Sequence, residues 1–78
     1  MKMNNCCGFD VPAWVYAIIA DADLSVRAAS AVCRVYRDFP CATQEELMFN
    51  LDEFVAGRLV VHCSSKRAIA EITDKILQ

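Results

Sequence analysis

Positions 24 to 39 carry the strongest pattern in the chain. Placed at about 100° per residue, they divide into two unequal arcs. Leu24, Val26, Ala28, Ala29, Val32, Cys33, Val35, Tyr36 and Phe39 cover about 200° of the circumference. Arg27, Ser30, Arg34 and Arg37 follow one another at spacings of three, four and three and form a narrow ridge opposite. A surface helix needs an apolar stripe of only about 100°, so an arc this wide predicts neighbours on two or three sides. The segment reads as the central helix of a small bundle, spanning 24–38. Asp23 or Ser25 begins it. Pro40 stops it, because the residue before a proline is pushed out of the helical region.

The flanking segments supply matching faces. Residues 12–20 are apolar all round, through Trp14, Val15, Tyr16, Ile18 and Ile19, and Pro12 suits the first helical position, where its missing N–H costs nothing. Before them, residues 1–9 show no helical period and read as a flexible or extended segment. Thr43-Gln44-Glu45-Glu46 forms a capping box, with the threonine bonding forward and Glu46 reaching back. It opens a helix over 43–56 that Gly57 ends in a left-handed cap. Leu47, Met48, Leu51, Phe54 and Val55 share its inner face. Glu45, Glu46, Asp52 and Glu53 share the outer one with Phe49, an aromatic that another segment is expected to cover. A helix over 65–77 starts at Ser64 or Ser65, buries Ala68, Ile69, Ile72 and Ile76, and carries Arg67–Glu71 and Glu71–Lys75 as i,i+4 pairs. Between these two helices, Arg58 to Cys63 is short, β-branched and bounded by Gly57 and Ser64. It predicts one short extended or β segment over 58–63. The fold class expected is mainly α: one domain, residues 1–78, built as a bundle of about four helices (12–20, 24–38, 43–56, 65–77).

At 78 residues the chain lies near the lower limit for folding on a hydrophobic core alone. It is 56% hydrophobic, with a mean hydropathy of +0.29, which excludes a disordered protein. That richness predicts apolar surface left over after the core is built, which a partner or a second copy would absorb. Eight Lys and Arg against ten Asp and Glu give a net charge of −2, which lends no chain-wide support to nucleic-acid binding. Five cysteines, Cys6, Cys7, Cys33, Cys41 and Cys63, are an odd set without framework spacing, and a reducing cytoplasm is the simpler setting. The longest apolar run, Val11 to Ala20, is about half the length of a membrane-spanning helix. Asn4, Asn5 and Asp10 precede it where a signal peptide would carry basic residues. No membrane association is expected.

Little in the sequence carries reactive chemistry. The lone histidine, His62, precedes Cys63, which points to the opposite face if the segment is a strand. A zinc set drawn from Cys6, Cys7, His62 and Cys63 lacks the close ligand spacing that preforms a chelate. Two glycines in the whole chain leave no phosphate-binding loop. Asp21 with Asp23 and Glu45 with Glu46 sit where helix starts favour negative charge. Neither an enzyme, a cofactor nor a metal is expected. What remains is surface. The ridge of Arg27, Ser30, Arg34 and Arg37 is either a solvated edge or a docking edge for phosphate or an acidic partner. Trp14 and Tyr16 are the residues expected at an interface if the first helix presents a face. The acidic face of Glu45, Glu46, Asp52 and Glu53 around Phe49 is a further interface candidate.

Two short segments resemble a known family. Asp23-Leu24-Ser25-Val26-Arg27-Ala28 resembles the first-helix signature of the C-terminal domain of the bacterial RNA polymerase alpha subunit. Ser64-Ser65-Lys66-Arg67-Ala68-Ile69-Ala70-Glu71-Ile72 resembles that family's last helix. The resemblance implies a helix-hairpin-helix type fold gripping DNA backbone, with Arg27, Ser30, Lys66, Arg67 and Glu71 as the DNA-facing set. Here Ser65 stands where the family has glycine and Cys63 where it has asparagine. In size and character the chain also resembles the small inhibitors and adaptors encoded by phages and mobile elements, anti-CRISPR proteins among them. Two functional expectations follow. The leading one is a non-enzymatic module that binds a protein partner and blocks a surface of a larger complex, with a homodimer also open. The alternative is a DNA-binding, transcription-related module.

Overall fold

Two short antiparallel strands lead into four helices: β1 (Met3–Cys6), β2 (Phe9–Pro12), α1 (Ala13–Asp21), α2 (Val26–Asp38), α3 (Gln44–Val55) and α4 (Lys66–Lys75). The computed structural model describes residues 3–6, 8–61 and 65–78, the first of these ranges by its backbone alone. The fold is mainly α, and the helices follow the sequence periodicity closely.

α2 organises the rest. Among the described elements it alone touches all five others: α1, α3, α4 and both strands. Ala28, Ala29, Ala31, Val32, Cys33 and Val35 are at most 4% exposed. The three alanines let neighbours approach closely, and the β-branched residues between them fill the space on either side. The predicted arc therefore holds along its middle and fails at its ends. Val26 is 74% exposed and Phe39 37%, because each lies at a helix end. Ala31, absent from the expected arc, belongs to the buried set.

The β content differs from expectation. β1 pairs with β2 in the register Met3↔Pro12 to Cys6↔Phe9, and Gly8 supplies the positive φ of +87° that a tight link requires. Of the two forms expected for this segment, Arg58 to Val61 takes the connector and not the strand, burying Val61 and leaving Val60 open. The remaining residues of the predicted 58–63 segment, His62 and Cys63, lie outside the described residues.

The caps show how the helices begin and end. Pro12 is the N-cap of α1, not its first helical residue, and keeps extended backbone. Ser25 caps α2 by accepting from the Ala28 N–H at 3.3 Å, and Ser65 caps α4 in the same way through Ala68 at 3.1 Å. In α3 the Thr43 hydroxyl accepts from the Glu46 N–H at 3.2 Å and donates to the Glu46 carboxylate at 3.3 Å. The expected capping box is thus closed between side chains. After α3, Gly57 (φ +84°) makes a Schellman turn: its N–H reaches the Phe54 carbonyl and that of Arg58 reaches the Glu53 carbonyl.

Asp21 and Asp23 correct the sequence reading. They end α1; they do not start α2. Asp21 is the last residue of α1, and Asp23 occupies the left-handed position of a second Schellman turn at φ +53°. There its N–H meets the Ala20 carbonyl, and the Leu24 N–H meets that of Ile19. A carboxylate at this end opposes the helix dipole, and a non-glycine residue there is strained. Asp23→Gly is therefore expected to stabilise the fold by about 0.5–1 kcal/mol, seen as a raised thermal midpoint. An unchanged or lowered midpoint would show that the aspartate is not strained.

α4 closes the bundle. Ala68 and Ile72 are buried against α2 and α3, with Leu47, Leu51 and Phe54 of α3 in the same core. Glu71 turns to the start of α2, where its carboxylate accepts from the Ser25 N–H and, at 2.7 Å, from the Ser25 hydroxyl. Lys75 donates to the Asp23 carbonyl at 2.8 Å and approaches Glu71 at 3.7 Å. Of the two expected i,i+4 pairs, Glu71–Lys75 forms. Arg67 makes no ion pair among the described residues.

Candidate binding surface

The arginine ridge faces out from α2 and is bordered by the N-terminal hairpin. Phe9, the first residue of β2, lies beneath it, with the Arg34 guanidinium 5.4 Å and the Arg37 guanidinium 5.3 Å from its ring centroid. Two cations over one aromatic ring are held by its quadrupole and lose side-chain freedom before any ligand arrives. Arg37 also pairs with its neighbour Asp38 at 3.1 Å. Arg34 is half-buried and has no carboxylate partner among the described residues. Arg27 is exposed and equally unpaired, and Ser30 sits half-buried between them.

Beside this ridge a groove of about 430 Å³ runs between the hairpin and the end of α2, lined by Phe9, Asp10, Cys33, Tyr36, Arg37 and Pro40. Tyr36 forms its aromatic wall and is steadied from behind by Trp14, whose ring meets it edge-on at 6.0 Å. Trp14 is thus a structural support here, while Tyr16 is 45% exposed. Phe9 and Asp10 were not among the residues singled out from sequence. The available signal was Gly8, a turn former lying between the two strands, which would have made the tail a hairpin.

The remaining candidates separate. Lys66 and Arg67 are exposed in the first turn of α4, and no described contact joins them to Arg27, Arg34 or Arg37. Glu71, from the set implied by the polymerase resemblance, is engaged at Ser25. Those hydrogen bonds, backbone first, hold its carboxyl below the usual range, with Lys75 adding to the effect. On α3, Phe49 is 63% exposed, so the expected cover is missing among the described residues. Glu45 and Asp52 are exposed beside it, and Glu46 serves the cap. Glu53 is taken by Arg58 across the Schellman turn, and this contact raises the arginine's pKa.

Burial, followed by the nearby Glu46 charge, pushes the Cys41 thiol up, which disfavours a reactive thiolate. Among the described residues, no group of three or more His, Cys, Asp and Glu side chains gathers to hold a metal. The side chains of Cys6, Cys7, His62 and Cys63, the set considered for zinc, lie outside the described residues. No helix among those described is long and apolar enough to cross a membrane. The chain matches no protein-family model, and neither a curated protein nor a solved structure shows significant similarity to it.

Proposed function

We propose that this chain is a non-enzymatic protein-binding module, an inhibitor or adaptor that acts by covering a surface of a larger complex. One observation carries the reading. A bundle whose core takes fifteen buried apolar residues among those described still leaves Phe49, Val60 and Tyr16 at 63%, 84% and 45% exposure. Solvent-facing aromatics on a small domain are the residue types that anchor protein interfaces. Phe49 adds specificity, since Glu45 and Asp52 beside it would reject acidic surfaces. Small phage and mobile-element inhibitors, anti-CRISPR proteins included, work by this kind of surface blocking, and the odd cysteine count fits action in a reducing cytoplasm.

The test is affinity capture from host lysate with and without nuclease, followed by mass spectrometry and repeated with Phe49→Ala. The expected result is a stoichiometric protein complex that survives nuclease and weakens in the variant. Recovery of chaperones alone would contradict the reading. A second reading, DNA binding of the alpha C-terminal type, draws support from Lys66 and Arg67 in the first turn of α4, which holds no acidic residue. It requires duplex binding that falls steeply with salt and is lost in Arg67→Ala.

A further inference from the structure

We propose that the edge formed by Arg34, Arg37 and Phe9 is the docking site for an acidic segment of a partner protein, with an apolar side chain of that segment entering the adjoining groove. The proposal rests on the protein-binding reading and names the chemistry of the partner.

Three features point to a carboxylate-bearing occupant. First, the guanidinium donors are under-used. Each arginine offers five N–H groups in a planar fork. Arg34 makes no hydrogen bond or ion pair among the described residues, although half-burial has stripped part of its hydration. Arg37 spends its donors on one exposed carboxylate, that of Asp38. Second, the fork is pre-set. Both guanidinium groups lie within 5.4 Å of one ring centroid. Much of the entropy that two long side chains normally lose on binding is therefore already lost. A carboxylate can then be gripped in the bidentate manner lysine cannot reproduce. Third, the groove beside them is apolar on its floor and walls, through Phe9, Tyr36 and Pro40, and at about 430 Å³ it has room for a leucine- or phenylalanine-sized side chain.

The same edge argues against nucleic acid. Asp10 and Asp38 are exposed beside the arginines, and the whole chain carries −2. A phosphate backbone brings a charge at every nucleotide and would meet both aspartates. An acidic peptide can place its carboxylates at the arginines and an apolar residue between them.

The probe is a fluorescein-labelled peptide with one Asp and one Glu on either side of a central Leu in an otherwise Gly/Ser sequence, followed by anisotropy at moderate salt against the full chain. Beside it run its Asn/Gln counterpart and a single-stranded DNA of equal charge. The acidic peptide is expected to bind about tenfold more tightly than its amide counterpart, which corresponds to one charge-assisted contact at the modest end of its range. Arg34→Lys and Arg37→Lys, which keep the charge and lose the fork, are each expected to weaken binding severalfold, and Phe9→Leu to do the same by releasing both guanidinium groups. Thermal melts of each variant separate lost binding from lost folding. On the wild-type chain, shifts of the Arg34 and Arg37 Nε resonances on titration give a readout that needs no substitution. Equal binding of the amide peptide, lysine variants that bind like the parent, arginine resonances that do not move, or tighter binding of the DNA would each overturn the proposal. A host protein captured equally by the parent chain and by Arg34→Lys/Arg37→Lys would keep the protein-binding reading and sink this one.

Discussion

Shortening Ile72 to alanine is expected to remove about 2–5 kcal/mol of folding free energy, the range for deleting a buried branched side chain together with the cavity it leaves. Ile72 is wholly buried on α4, the helix that rests on both α2 and α3, so the cavity opens where three helices meet. Domains of this size hold a net stability on the order of 5–10 kcal/mol. The variant should therefore lose a large part of that stability. In urea the midpoint falls sharply while the slope stays near that of the parent. Ile69, one turn earlier and half-buried, is the internal control: its alanine variant should lose clearly less. Equal losses at the two positions would mean that α4 is not seated as described.

Glu71→Ala is expected to cost about 1–2 kcal/mol, the worth of a charge-assisted helix cap. The carboxylate bridges two helices far apart in sequence, accepting from the Ser25 backbone and hydroxyl at the start of α2 while Lys75 holds it and the Asp23 carbonyl. The pH dependence follows from the direction of its shift. In the folded chain the carboxyl titrates below its ordinary value of 4.5, so the unfolded chain binds the proton more readily. The stabilisation is fully present above about pH 4.5 and is lost as pH falls through the lowered folded value. Glu71→Gln, which keeps the shape and part of the hydrogen bonding, should flatten the stability profile between pH 6 and 3 relative to the parent. A parallel profile in the two proteins would show that the carboxylate does not cap α2.

The helices were legible because their signals are local. Thr43 with Glu46, Gly57, Pro40 and the 3.6-residue spacing of Leu47, Leu51 and Phe54 each declare themselves within a few residues. What could not be read was contingent on distance. Phe9 becomes the platform for Arg34 and Arg37 only when a hairpin folds a segment that lacks alternation back onto α2. Glu71 caps Ser25 across forty-six residues, and nothing on α4 alone distinguishes that role from the i,i+4 pair with Arg67. Asp21 and Asp23 fall at the junction of two helices, and charge preference pointed to the start of the second. The left-handed turn at Asp23 decided the matter. Phe49 was expected to be covered because exposed aromatics are uncommon, and the described structure leaves it open. The arginine ridge was visible from sequence as a ridge, and its aromatic anchor was not.

The central claim is that α2 is the axis of the fold, with every other described element seated on it. Native-state amide hydrogen exchange tests this most directly. The amides of Ala31 to Val35 are expected to exchange only through global unfolding, with a protection free energy equal to that from urea denaturation, while α1 and the hairpin open at lower cost. Exchange of the α2 amides by a cheaper local opening, with α3 or α1 still protected, would contradict the account.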